Sequence, residues 1–180
     1  MTLVIVNYLA MINFALYLAS NWQKERITIF KLLIASNIIA IVEYILIGGI
    51  AGAIIGGLSI IQYLLFYKYH NKIVLGFMIL SFCICCFVFA DSWLSILLYA
   101  VLLIRCMMIY HKDPQHTRES GVMQNIIYPF YDFHYGTVLL VVVDVIKLIN
   151  DSFATWKYGK DRYKKKAKQI KYVIAGVFNN

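Results

Sequence analysis

The sequence predicts an all-α integral membrane protein with seven transmembrane helices, and three observations predict it. The 180 residues are 62% hydrophobic and only 14% charged, with a mean hydropathy of +0.72, whereas soluble domains carry about 25% charged residues. Apolar runs able to cross a hydrocarbon layer about 30 Å thick recur along most of the chain. Lysine and arginine collect in alternate connections between those runs.

The first run, "MTLVIVNYLAMINFALYLAS", covers about residues 3–20. It is apolar from its start, lacks a basic leading region and ends in charged "NWQKER", so it is expected to stay in place as a helix rather than be cleaved. Four further runs follow at 29–47, 49–67, 74–90 and 93–110. The sixth, "GVMQNIIYPFYDFHY" at 121–135, is short, contains Pro129 and is the least apolar; the seventh covers 137–156.

Charge decides whether the sixth run crosses. Lys24, Arg26 and Lys31 lie at the first connection, Lys68 and Lys72 at the third, Lys112 and Arg118 at the fifth, and eight basic residues from Lys157 to Lys171 follow the last run. The second, fourth and sixth connections, "IGGI", "ADS" and "HYG", contain no Lys or Arg. The positive-inside bias then predicts seven crossings, with the N-terminus outside and the C-terminus inside. Trp22, Trp93 and Trp156 fall at the expected membrane–water boundaries. The tail carries most of the formal charge of +8; it reads equally as a basic helix on anionic lipid or as a solvated stop-transfer tail.

An offset of 88 residues brings "NWQKE" at 21–25 onto "IYHKD" at 109–113, Asn37 onto Asn125, Gly48 onto Gly136 and Lys72 onto Lys160. The expected plan is 3+1+3: a first three-helix repeat at 1–72, a linker helix at 73–91, a second repeat at 92–160 and a basic cytoplasmic tail at 161–180. An odd linker makes the halves run parallel, related by a pseudo-two-fold along the membrane normal. In the third run Gly48, Gly52 and Gly56 recur every four residues, with Gly49, Ala53 and Gly57 beside them. Small residues of this kind let helix backbones approach in lipid, so helix packing is the expected role. Asp144 stands opposite Gly56 in this register, and Lys147 opposite Ser59, so the charged set is expected to point into space left by the small one.

This plan resembles the SWEET and PQ-loop (MtN3-like) transporter superfamily. More closely, "FKLLIASNIIAIVEYILIGGIAGAIIGGLSIIQYLLFYKYH" is similar to the YgjV-type family of bacterial inner-membrane proteins, in the lysine opening the second span, the "YxLxGG"-like outer turn and the small-residue third span. "IIYPFYDFHYG" with the seventh span is similar to that family's closing section. The resemblance covers about residues 3–160 and implies a fold and a cell inner membrane location more than an activity. No Pro-Gln pair occurs and Pro129 is the one proline within a span, so the proline hinges of SWEET-type carriers do not carry over.

No zinc-binding His-Glu-x-x-His, nucleophile elbow or phosphate loop is present, so no enzyme, cofactor or metal is expected. Cys83, Cys85, Cys86 and Cys106 read as small apolar residues, and His111 and His116 as solvated. Asn37 and Asn125, at equivalent repeat positions, are read either as interhelical hydrogen-bonding residues or as a shared solute site. Pro129 frees a backbone carbonyl, a feature of transporter binding sites, and Tyr128 and Tyr131 are read as a solute-facing aromatic surface or as part of the outer belt. Asp132 and His134 are expected in that belt.

Asp144, Lys147 and Asp151, three and four apart, share one face of the seventh span. Lys147 lies about 15 Å in at helical rise, where each charge costs about 2.5–3.5 kcal/mol if it meets lipid. All three are therefore expected to face the bundle interior, Lys147 bridging the two acids, as a structural network or as part of a solute route. The resulting expectation is a carrier of a small polar solute in a bacterial cytoplasmic membrane. The alternative is a non-transporting assembly, immunity or signalling subunit. Partners consistent with these readings are the lipid bilayer, a small polar solute, and a second copy or another membrane protein, but no nucleic acid.

Overall fold

The computed structural model describes residues 2–69, 71–111, 113–135 and 137–178, with side chains from residue 4 to residue 160 within those ranges. Gly136, Lys112 and the basic side chains from Arg162 to Lys171, used above for topology and the tail, lie outside the described residues. Among the described residues all regular structure is α-helical: α1 (Thr2–Asn21), α2 (Arg26–Ile47), α3 (Ile50–Lys68), α4 (Lys72–Phe89), α5 (Trp93–Tyr110), α6 (Pro114–His134) and α7 (Val138–Phe178). Helices α1 to α5 are long and apolar enough to cross a membrane. Helix α6 is more polar, and α7 carries Asp144, Lys147 and Asp151 on its early turns.

Local chemistry sets several of the boundaries. Asn71 caps α4 by accepting from Val74 N at 2.8 Å, Ser92 caps α5 through Ser95 N at 3.2 Å, and Asp113 caps α6 through Gln115 N at 2.9 Å. Each satisfies an amide that the first helical turn leaves unpaired. Pro114 opens α6, where a missing N–H costs nothing. Gly48 closes α2 in the left-handed region at φ 80°, and Gly49 N donates to Tyr44 O at 2.8 Å. A Cβ added to Gly48 meets nothing within 4 Å. This glycine therefore turns the chain and does not pack helices, contrary to the expectation for it.

Gly52 and Gly56 do pack. A Cβ on Gly52 would lie 2.7 Å from the Tyr44 ring, and one on Gly56 would lie 2.8 Å from Ile41 Cγ1. The α2–α3 hairpin thus closes by seating α2 side chains in the notches of α3. The space left by Gly56 is already filled by Ile41, so Asp144 does not occupy it. In the second small row Gly49 also packs, a Cβ there lying 3.1 Å from the Tyr44 ring, while Gly57 faces nothing within 4 Å.

Helix α1 packs on α2 and α2 on α3; α5 packs on α6 and α6 on α7; the trios meet where α3 touches α5 and α7 touches α1. Six helices therefore close a ring, while α4 lies against α3 and α5 and buries Met78 and Phe82. Burial is inverted relative to a water-soluble protein. Glu43, Arg105, Asp132, Asp144 and Asp151 are buried, while Phe87 is 93% and Ile73 83% exposed. Charges kept inside an otherwise apolar core, with apolar side chains outside, are the arrangement a hydrocarbon solvent favours. Helix α7 runs on through the expected end of its span at 156 to Phe178. Its lysine-rich sequence favours helix, so the change from apolar to basic composition does not end the helix.

Candidate functional site

The ring lines a partly open cavity of about 60 Å³, enough for about four waters. Its wall takes residues from α1, α2, α3, α5, α6 and α7, with none from α4. Of the residues singled out in the sequence, Asn37, Asn125, Tyr128, Asp144 and Lys147 line it; Tyr131 and Asp151 do not.

One end of the wall is acidic. Lys147 Nζ donates to Asp144 Oδ1 at 3.0 Å, and both residues are buried. Lys147 does not bridge both acids as expected, because Asp151 is held elsewhere. Asp132, expected in the outer belt, is 1% exposed and forms part of this wall. Its Oδ1 accepts from Tyr44 Oη at 3.0 Å, so the α2 tyrosine draws it inward. His134 is exposed. Glu43 completes the group: Asn13 Nδ2 donates to Glu43 Oε2 at 3.0 Å, and Ser36 Oγ donates to Asn13 Oδ1 at 2.5 Å. Three carboxyl groups from three helices therefore surround one ammonium.

The other end is basic. Arg105 on α5 donates to Gln124 Oε1 at 2.7 Å and to Tyr63 Oη, and its guanidinium carbon lies 4.9 Å from the centre of the Tyr63 ring. This contact closes the α3–α5 seam. At the opposite seam, α1–α7, Asp151 accepts from Tyr17 Oη at 2.7 Å, from Asn125 Nδ2 at 2.8 Å and from Asn21 Nδ2. Gly121 is essential to that knot, since a Cβ there would lie 2.6 Å from Asp151 Oδ2. Pro129 has no N–H to return to the Asn125 carbonyl, and the Asn125 side chain binds Tyr17 and Asp151. Asn37 instead donates to Leu33 O of its own helix at 2.6 Å. Asn37 and Asn125 share the cavity but hold different partners.

Tyrosines cover the acidic end. Tyr44 packs edge-on against Tyr131, with ring centres 5.9 Å apart, and Tyr131 Oη accepts from Gly52 N at 3.1 Å. Tyr131 thus serves the cover and not the wall. Tyr135 Oη donates to Asp91 Oδ2 at 2.5 Å. Burial opposes ionisation of Asp91, but hydrogen bonds from Ser95 and Tyr135 outweigh it and hold that carboxyl below its usual value.

Sequence reasoning missed Arg105 altogether and gave Glu43 no role. Both are lone charges in otherwise apolar spans, and that cost alone marks a residue for an interior partner. Among the described residues no group of His, Cys, Asp and Glu has the arrangement to hold a metal ion. Cys83, Cys85, Cys86 and Cys106 are free thiols.

No curated protein and no solved structure matches this chain. The family model Imp-YgjV, described as bacterial inner membrane protein, matches residues 4–162. That span takes in helices α2 to α6, most of α1, the first part of α7 and the whole cavity wall. The chain belongs to the YgjV family of bacterial inner membrane proteins.

Proposed function

We propose that the chain is a carrier for a small polar solute, built as two parallel three-helix repeats joined by α4, with its N-terminus outside and C-terminus inside. The observation that carries the reading is the central cavity, walled by all six ring helices and lined by buried charges of both signs. A purely structural core gains nothing from such a lining. Each buried charge has a desolvation cost that apolar packing avoids, and a polar route through the bilayer is the usual reason to retain it.

The repeat reading is supported by where contacts fall. At an offset of 88 residues, Tyr17 corresponds to Arg105 and Tyr63 to Asp151. The Tyr17–Asp151 contact of one seam is then the counterpart of the Arg105–Tyr63 contact of the other. Each seam pairs a tyrosine with a charge, of opposite sign on the two sides. Two matched seams around a central cavity are what rocking of one half against the other requires.

A thermal-shift screen of the purified protein against small sugars, nucleosides, vitamins and amino acids tests this. A solute at about 100 times its Kd adds about 2.7 kcal/mol of stability, and the gain should vanish in Gln124→Ala. A panel without response, together with a stoichiometric protein partner on purification, would overturn the carrier reading.

A further inference from the structure

We infer that Asp132 and Asp144 share one exchangeable proton, so the cavity carries a coupling-ion site beside its solute site. The argument begins with counting. Glu43 on α2, Asp132 on α6 and Asp144 on α7 stand around Lys147, which feels all three. One ammonium cannot balance three carboxylates in a medium where an uncompensated charge is so costly.

Geometry locates the missing positive charge. The Asp132 carboxyl lies within hydrogen-bond reach of Asp144. Two carboxylates repel at that distance, whereas a carboxylic acid and a carboxylate attract through a shared proton. An independent observation agrees. Asp144 Oδ2 and Glu43 Oε1 have no hydrogen-bond partner, although their residues are 4% and 2% exposed. A buried carboxylate oxygen without a donor is uncommon, and a proton on the Asp132–Asp144 pair supplies the donor Asp144 lacks.

The other groups facing the pair are accounted for. Tyr44 on α2 donates to Asp132, and Tyr128 on α6 lies beside both acids. Lys147 Nζ lies 5.3 Å from the Tyr17 ring centre on α1, and Asn13 of that helix binds Glu43. Arg105 on α5 is engaged with Gln124, Ser59 and Tyr63 and forms no ion pair with the acids among the described residues. No other described cation joins the pair. A metal ion is a poorer occupant, because the described acids do not form a metal-holding group.

The step balances simply. The O–H bond of one carboxylic acid breaks, the proton passes to water in the cavity, and two carboxylates remain. Their repulsion then favours a state in which the α6–α7 contact opens or a cationic solute group enters. Coupling to solute movement rests on the carrier reading; the proton site does not.

Infrared difference spectroscopy of purified wild-type protein tests the site without any solute. A carbonyl-stretch band of protonated carboxylic acid is expected at neutral pH, shifted in deuterium oxide and lost reversibly as pH rises. Asp132→Asn and Asp144→Asn, nearly isosteric and checked for wild-type-like helicity, should each remove that band, because the amide replaces the shared proton as donor. Lys147→Met, which leaves both acids in place, should retain it. A band untouched by either Asn variant overturns the proposal, as does one that never titrates. A band bleached when sodium replaces choline would assign the site to a metal ion instead.

Discussion

Tyr44 Oη donates a 3.0 Å hydrogen bond to Asp132 Oδ1 across a sequence separation of 88 residues, the offset of the proposed repeat. Residues related by a two-fold can touch each other only near its axis. The proposed axis therefore passes close to this bond, at the acidic end of the cavity. The bond joins α2 to α6, the middle helices of the two trios.

Tyr44→Phe should leave a buried Asp132 oxygen short of its donor. Losing one partner of a buried pair costs about 1–3 kcal/mol. The thermal midpoint of the purified variant is expected to fall while helicity is retained. An unchanged midpoint would mean the two halves do not hold each other at this point.

Gly52 receives the ring of the same tyrosine. Gly52→Leu must push that ring away, and overpacking of this kind costs about 1–3 kcal/mol. In lipid, separated backbones also have no hydrophobic drive to close again. Gly57→Ala, in open space further along α3, should stay within about 0.5 kcal/mol of wild type. Equal melting of both variants would place the Gly52 face against lipid and not against α2.

The helices and the site were legible in the sequence to different degrees. Periodic apolar composition is a local property, so α1 to α5 begin and end close to where hydropathy and basic loops put them. Partners are not local. Arg105 meets Tyr63 and Gln124 at separations of 42 and 19 residues, and Asp151 meets Tyr17 at 134. A charge in a span announces that a partner exists without saying which one. Asp132 is the sharpest case: two residues from the end of α6 it reads as interfacial, yet Tyr44 draws it into the cavity. The Gly52 row was readable as a packing face, but that Tyr44 fills it depends on how the α2–α3 turn at Gly48 aligns the hairpin.

Orientation is testable by labelling in sealed cells, starting from a variant with all four native cysteines replaced by serine. Cysteine at exposed His134 is expected to react with an impermeant maleimide from outside. Cysteines at exposed Lys24 and Lys68 are expected to react only after the membrane is opened. Labelling of Lys24→Cys in intact cells would reverse the assignment, and labelling of both His134→Cys and Lys24→Cys would remove a crossing.

Lys147 separates structural need from solute handling. Lys147→Met removes the one ammonium among Glu43, Asp132 and Asp144, and breaking a buried ion pair costs about 3–5 kcal/mol. The single variant should melt well below wild type at neutral pH and regain part of the loss as the pH falls, because added protons replace the missing charge. The double variant Asp144→Asn with Lys147→Met takes out the 3.0 Å pair together, and replacing both partners with neutral groups of similar shape is close to neutral in stability. It should fold like wild type. If the pair only holds the bundle, the double variant also regains the solute-dependent thermal shift. If the pair lines the route, the double variant folds and gives no shift, and that second result is the one the cavity wall predicts.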